Sequence, residues 1–377
     1  GSEGVAELRV AALDAAMQRS VSFFDAGVNV EGVRHYTSDQ VLATDQQLTD
    51  ALTARALVPG ENGQVQAERD GFTLSAEQQA AAEAITGSHE LVVIQGAAGA
   101  GKTTMLEAAA EALTEQGRRL VVVSPTKRGA LEAGDVLGVA GESVHALLYR
   151  AGAHVDEYGR WQLPAQWKPQ PEGRQLDART VLVVDEAGVL DQDTAHVLHQ
   201  YIDAMGLGTL VLSGDAAQLA AVGRGGYLAR AVSLSGVSLD LTDVRRFRAP
   251  GGEIDEEYAA LSIKMRDRED AGSIFDELAG RGMVQIGTLD AQLARLADTV
   301  ALEEQHQQAS IVVAPTNAAA QQINQAVFER LSGAGIIDAS TTVQGRDGDL
   351  IAAGARVATR ENDRELGVAN RQTWIVQ

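Results

Sequence analysis

Cysteine is absent from the chain, which excludes disulfides and thiolate metal sites and agrees with a cytoplasmic location. Aromatic residues make up 4% of the 377, so any platform for stacked bases must use very few side chains. No apolar stretch approaches the ~20 residues of a membrane-spanning helix. The first residues also lack the basic-then-apolar order of an export signal, and no membrane association is expected. Positive charge is scarce: 31 Lys and Arg face 52 Asp and Glu, a net charge of −21. That argues against a polycation that coats nucleic acid, although a basic groove can exist on an acidic body. Of the seven histidines only His196 and His199 lie close together, so no histidine metal cluster is expected. What remains is ordinary globular composition, 45% hydrophobic and 22% charged, with length for two or three domains. The opening Gly1-Ser2 looks like a cloning remnant, which would make the sequence a piece of a longer protein.

Residues 1–72 read as helical and acidic, with amphipathic spacing over Val5–Phe24 and again over Thr37–Leu57. They are expected to form a small N-terminal helical domain, ending in a loop over Val58–Gly71. The pattern changes at Leu74. Ser75-Ala76-Glu77-Gln78 has capping-box spacing before an Ala-rich helix to Ile85. Short apolar runs at Leu91–Gln95, Leu120–Ser124, Val181–Asp185 and Thr209–Ser213 then alternate with helical segments. Continuous hydrophobicity predicts strands buried on both faces, hence a parallel, doubly wound α/β sheet with ligand loops at the carboxyl ends of its strands. This first α/β domain is expected over 73–248, with the polar stretch 149–180, which holds Trp161 and Trp167, as an inserted excursion. Ala249-Pro250-Gly251-Gly252 marks a boundary, and 249–377 should be a second α/β domain with a strand at Ser310–Ala314. An echo supports this: Val122-Val123-Ser124-Pro125-Thr126-Lys127 matches Val312-Val313-Ala314-Pro315-Thr316-Asn317. The Arg-rich tail Gly354–Gln377 reads as strands and stops in mid-strand.

Leu91–Thr104 carries the strongest signal. Gly96-Ala97-Ala98-Gly99-Ala100-Gly101-Lys102-Thr103 is G-x-x-x-x-G-K-[ST] between a predicted strand and helix. Glycines let backbone N–H groups turn around phosphate oxygens, and the helix N-terminus adds partial positive charge. Lys102 can reach the terminal phosphates and the Thr103 hydroxyl can ligate Mg²⁺, so the chain is expected to bind a nucleoside triphosphate, through Gly96, Ala97, Gly99, Ala100, Gly101, Lys102, Thr103 and Thr104. The bland alternative is a Gly/Ala-rich turn with an incidental lysine. Val181–Glu186 ends a strand in two acids: Asp185 would hold Mg²⁺ through water and Glu186 would deprotonate the attacking water. Gln218, after the next apolar run, suits a γ-phosphate sensor, or a merely structural turn. Arg245, Arg246 and Arg248 cluster before the domain boundary, where an arginine could reach a γ-phosphate or sit on the surface.

Taken in order, Leu74–Gln78, the glycine-rich loop, Ser124–Ala130, Ser143–Leu148, Asp185-Glu186-Ala187-Gly188, Gly214–Leu219 with Val222-Gly223, and Val244-Arg245-Arg246 resemble superfamily 1B DNA helicases. Within these the chain is most similar to the RecD-like helicase half of conjugative relaxases; the tail Val357–Trp374 and Tyr36-Thr37-Ser38 resemble that family too. The resemblance implies two RecA-like P-loop domains, the second incomplete and truncated at the start of a small β-barrel insertion. It implies ATP and Mg²⁺ as ligands and 5′→3′ movement on single-stranded DNA. Gln78 resembles the adenine-reading glutamine, though its capping position gives it a structural role as well. Lys102, Asp185, Glu186 and Gln218 take the roles already named, and Arg246 resembles the first of two arginine fingers. Pro125, Thr126, Lys127 and His145 resemble single-strand contacts, with Thr316 and Asn317 as counterparts in the second domain; His145 could equally be a packed helix-start residue. Two family motifs do not occur after Arg246: a Gln-Gly-containing DNA motif and the one that supplies the second arginine finger. The nicking domain of relaxases is missing as well. Weak hydrolysis is therefore expected of this piece, as a monomer whose other partners would be proteins of the conjugation machinery. A RecD-like repair or recombination helicase, and a DNA-binding or loading module with a vestigial ATP site, are the alternatives.

Overall fold

In the computed structural model, described at residues 14, 16–18, 20–23, 35–69, 72–97, 99–138, 141–171, 174–218, 223–244, 247–249, 252–306, 311–345, 348–361, 366, 368, 370 and 372–377, the chain divides into two units, Gly1–Arg268 and Glu269–Gln377. The first is organised by a parallel six-stranded sheet. Its strands are β1 (Leu91–Gly96), β2 (Arg119–Ser124), β3 (Glu142–Ser143), β4 (Thr180–Val184), β5 (Thr209–Gly214) and β6 (Ser238–Leu241). They lie in the order β6-β1-β5-β4-β2-β3, every neighbouring pair parallel. Side chains alternate between two cores. Leu91, Val93, Val121, Val123, Leu182, Val184, Leu210 and Leu212 enter one, and Val92, Ile94, Leu120, Val122, Val181, Val183 and Val211 the other. Both faces are buried, which is why the runs are apolar throughout rather than alternating.

Helices α2 (Ala76–Thr86) and α3 (Lys102–Glu115) close the second core with Ala81, Ile85, Met105, Leu106 and Leu113. The first core is closed by α1 (Asp39–Ala56), α5 (Val144–Ala151), α6 (Gln192–Ala204) and α7 (Tyr227–Leu234), through Leu48, Leu52, Leu147, Leu148, Leu198, Tyr201 and Tyr227. Between α3 and α5, helix α4 (Lys127–Leu137) follows β2. Helix α1 is held in place by the Arg55–Asp203 ion pair at 2.7 Å and by Arg230, which donates to Thr49 Oγ1 at 2.7 Å. Most of the helix expected over Val5–Phe24 lies outside the described residues; near its expected end Val21–Phe23 pairs antiparallel with His35–Thr37. Valine and phenylalanine at the ends of this triplet favour strand over helix.

The 149–180 excursion contains a hairpin, His154–Val155 against Trp161–Gln162, that turns at Gly159 with φ 77°. Trp161 donates to Thr194 Oγ1 at 3.2 Å, and Trp167 packs on the core residue Tyr201 with ring centroids 5.2 Å apart.

The second unit contains α9 (Ala271–Gly280), α10 (Leu289–Gln305) and α11 (Asn317–Gly333), numbered after α8 (Glu256–Arg266) of the first. Asp338–Gln344 pairs antiparallel with Leu350–Ala353, and Arg356–Ala358 with Thr373–Ile375. Ala301, Leu331 and Ile337 form its small core. The predicted strand Ser310–Ala314 is not formed where it is described. Residues 311–314 have no strand partner among the described residues, and Ile311 and Val313 are 89% and 90% exposed. No parallel pairing occurs among the described residues of this unit.

Candidate nucleotide-binding site

The loop after β1 is shaped by two glycines in the left-handed region, Gly99 at φ 88° and Gly101 at φ 73°, a conformation that other residues adopt only at a cost. Gly101 is the N-cap of α3 and offers no side-chain cap, so the first-turn N–H groups are left to an anionic ligand. A Cβ on Gly101 would collide with the Gln78 amide. Ala97 and Ala100 are buried, Ala97 against Val244 and Ala259. Lys102 opens α3 and folds back, its Nζ donating to the Gly96 carbonyl at 2.6 Å. Thr103 is exposed and Thr104 half-buried on the same turn. Burial pushes the Lys102 ammonium below the ordinary lysine value, while the carboxylates of Asp185, Asp215 and Glu186 pull it back up. The lysine therefore stands in the field of both predicted acids.

Strand β4 delivers those acids at its carboxyl end, two strands from β1 across β5. The Asp185 N–H donates to Val123 O at 2.8 Å, and Ser213 Oγ turns one carboxylate oxygen by donating to it at 3.0 Å. Glu186 has φ 55°, uncommon for a residue with a side chain, and its carboxylate accepts from Thr126 Oγ1 at 3.4 Å. Gly214 leaves room for this turn; a Cβ there would sit 3.1 Å from the Gly188 nitrogen and 3.2 Å from that of Ala187. After β5 the loop is organised on Asp215, whose carboxylate accepts the Ala217 N–H at 3.0 Å and the Gln218 amide at 3.3 Å.

Gln78 does form the capping box: its Oε1 accepts the Ser75 N–H at 3.0 Å, and Ser75 Oγ accepts the Gln78 N–H at 3.2 Å. Its Nε2 donates to the carbonyls of Ala100 and Gly101, both at 3.4 Å, so it also braces the loop. Pro125, Thr126 and Lys127 follow β2 at the sheet's carboxyl edge, where Thr126 caps α4 by accepting the Gly129 N–H at 3.1 Å. His145 stands in the first turn of α5 and packs on Trp161 with ring centroids 5.2 Å apart. In the second unit Thr316 caps α11, accepting the Ala319 N–H at 3.1 Å, and Asn317 is its first residue. The echo noted in the sequence thus recurs as two Pro-Thr helix caps. Arg245 and Arg246 lie outside the described residues. Asp215 lies in the Gly214–Leu219 motif, but sequence reasoning gives it no role there and gives none to Ser213 or Arg266; Ser213 bonds Asp185, and Arg266 bonds Asp215.

The donor set fits a nucleotide with a divalent cation. The glycine loop, Lys102 and Thr103 on the first turn of α3, and the oriented Asp185 carboxylate follow the carboxyl ends of strands in one parallel sheet. That arrangement defines a P-loop nucleotide-binding domain, a class that generally works with a divalent metal. The AAA domain family matches residues 73–289, more than half of the chain, and the chain belongs to that family.

Over 301 residues the chain is 28% identical to the probable conjugal transfer protein TraA of Sinorhizobium fredii, covering 79% of this chain and 25% of that protein. The conjugal transfer protein TraA of Agrobacterium fabrum gives the same identity and coverage. The chain therefore spans about a quarter of the length of these relatives. A solved structure of Pif1 helicases at forked duplex DNA aligns with 81% of this chain and 71% of its own at 17% identity, with a TM-score of 0.46. No helix among the described residues is long and apolar enough to cross a membrane.

Proposed function

We propose that this chain is the motor region of an ATP-driven, 5′→3′ single-stranded DNA helicase that serves conjugative transfer. The observation that carries the reading is the loop itself: left-handed Gly99 and Gly101 in front of Lys102, which stands in the field of Asp185 and Glu186. The motif order in the sequence and the likeness to proteins named for conjugal transfer support the DNA-transfer part of it.

In this reading the loop N–H groups from Gly96 to Thr104 wrap the phosphates and Lys102 neutralises the terminal ones. Thr103 and Asp185 would hold Mg²⁺. The cation, when bound, offsets charge on the β- and γ-phosphates. Glu186 takes the proton of the attacking water, Gln218 senses the γ-phosphate, Arg246 stabilises the charge that develops there, and Gln78 meets the base. Pro125, Thr126, Lys127 and His145, with Thr316 and Asn317, would hold DNA phosphates through hydroxyls and backbone amides, which gives little sequence preference. The domain reading that accompanies it is 1–72, 73–248 and 249–377, acting as a cytoplasmic monomer alongside other transfer proteins.

The test is ATP turnover with and without single-stranded DNA, beside binding of a fluorescent nucleotide. Lys102→Ala should abolish both binding and turnover. Glu186→Gln should keep nucleotide binding and lower kcat by ~10²–10⁴, the usual share of a general base. Unchanged turnover in Lys102→Ala, or no nucleotide binding by the unaltered chain, would overturn the proposal.

A further inference from the structure

Arg266 is the last residue of α8, and nothing in its sequence surroundings marks it for function. Its side chain is only 18% exposed, and that of its partner Asp215 only 2%. Arg266 Nε lies 3.0 Å and 3.1 Å from the two carboxylate oxygens of Asp215, while Nη1 is anchored by Asp267 at 3.2 Å. A carboxylate this buried is costly without a counter-ion and satisfied hydrogen bonds, and Arg266 supplies the counter-ion. The remaining donors to Asp215 are the Ala217 N–H and the Gln218 amide. One guanidinium thus holds the carboxylate on which the sensor loop is built. The same pair bears on the phosphate lysine: Asp215 favours the charged form of Lys102 and Arg266 opposes it.

We propose that Arg266 is a positioning residue for γ-phosphate sensing, which acts through Asp215 to orient Gln218 and to cancel a buried negative charge beside the triphosphate. This rests on the nucleotide site proposed above and deepens it. Without Arg266, the Asp215 carboxylate would stand uncompensated where the γ-phosphate arrives, and it would compete for Lys102. A diphosphate places no charge there. The consequence is selective: triphosphate binding should suffer and diphosphate binding should not.

The experiment measures affinity for ADP and for a non-hydrolysable ATP analogue, together with kcat, KM and melting temperature, in the whole chain. Arg266→Gln should weaken the triphosphate by about tenfold, within the usual range for coupled sites, and leave ADP nearly unchanged. Arg266→Lys should recover part of the loss, since it restores charge without the fixed fork of the guanidinium. In the double variant Arg266→Gln/Asp215→Asn, triphosphate affinity should return, because the uncompensated charge is gone. kcat should stay low, because Gln218 remains unheld. Equal loss of both nucleotides, or an unchanged ratio between them, would overturn the proposal. A wild-type chain that binds neither nucleotide would instead overturn the nucleotide-site reading itself, and this inference with it.

Discussion

Gln78 holds the start of α2 and the phosphate loop with the two ends of one amide. Its oxygen completes the capping box with Ser75, and its nitrogen faces the carbonyls of Ala100 and Gly101. The two tasks are separable. Ser75→Ala removes the side-chain cap and should cost about 1 kcal/mol of stability by thermal denaturation, with little change in nucleotide affinity. Gln78→Glu keeps an oxygen for the Ser75 N–H but turns a carboxylate towards two loop carbonyls and an incoming triphosphate. Affinity measured with a fluorescent nucleotide should fall about tenfold, ~1.4 kcal/mol, while the melting temperature moves little. Equal effects of both variants on binding would show that the loop does not depend on this amide. At this scale the sequence was legible wherever a residue is tied to a fixed spacing: Gly101 and Lys102 in the loop, Asp185 and Glu186 at a strand end. Arg266 was not, for a physical reason. It lies in the charged run Ile263–Asp270, and its partner Asp215 is 51 residues away. Local pattern carries no trace of such a pair.

Among the elements, α1 tests how far the first core extends. Its apolar stripe was visible as periodicity, but periodicity reports a face and not what covers that face. Leu48 and Leu52 lie in one cluster with Leu182, Leu198 and Tyr227, and both are essentially without exposure, at 1% and 0%. Leu52→Ala should therefore destabilise the first unit by ~2–5 kcal/mol, the range for a fully buried leucine that leaves a cavity. Thermal or denaturant unfolding would measure it; a loss below about 1 kcal/mol would mean that α1 is only loosely attached. The main strands were read almost to the residue because a two-sided core demands continuous hydrophobicity. Ser310–Ala314 carries a similar apolar run, yet residues 311–314 make no ladder among the described residues. A strand exists only with a partner for its backbone groups, and apolar composition cannot supply one. The short edge strand β3 escaped notice for the opposite reason: Glu142-Ser143 has no apolar signal and is a strand only because Val123 and Ser124 lie beside it.

For the molecule as a whole, acid should act through one buried histidine as well as through the excess of carboxylates. His199, on α6, is enclosed between sheet and helices, its Nε2 bonded to Tyr227 Oη at 2.8 Å and its Nδ1 without a partner among the described residues. Burial, with Arg55 and His196 nearby, pushes its pKa down to about 4, against a smaller opposing pull from Asp203. The unfolded chain would hold that proton from about pH 6.5 downwards, whereas the folded protein resists it until pH approaches 4. In that window the unfolded state binds more protons, so stability rises with pH and falls as the solution is acidified. The contribution is fully present above about pH 6.5 and lost on the way to 4, on the order of 3 kcal/mol at about 1.4 kcal/mol per pH unit. Chemical denaturation between pH 7 and 4.5 should therefore show the slope, and His199→Gln, which can still bond Tyr227 but does not titrate, should flatten it. An equal slope in the variant would move the acid sensitivity to the carboxylates and away from this core.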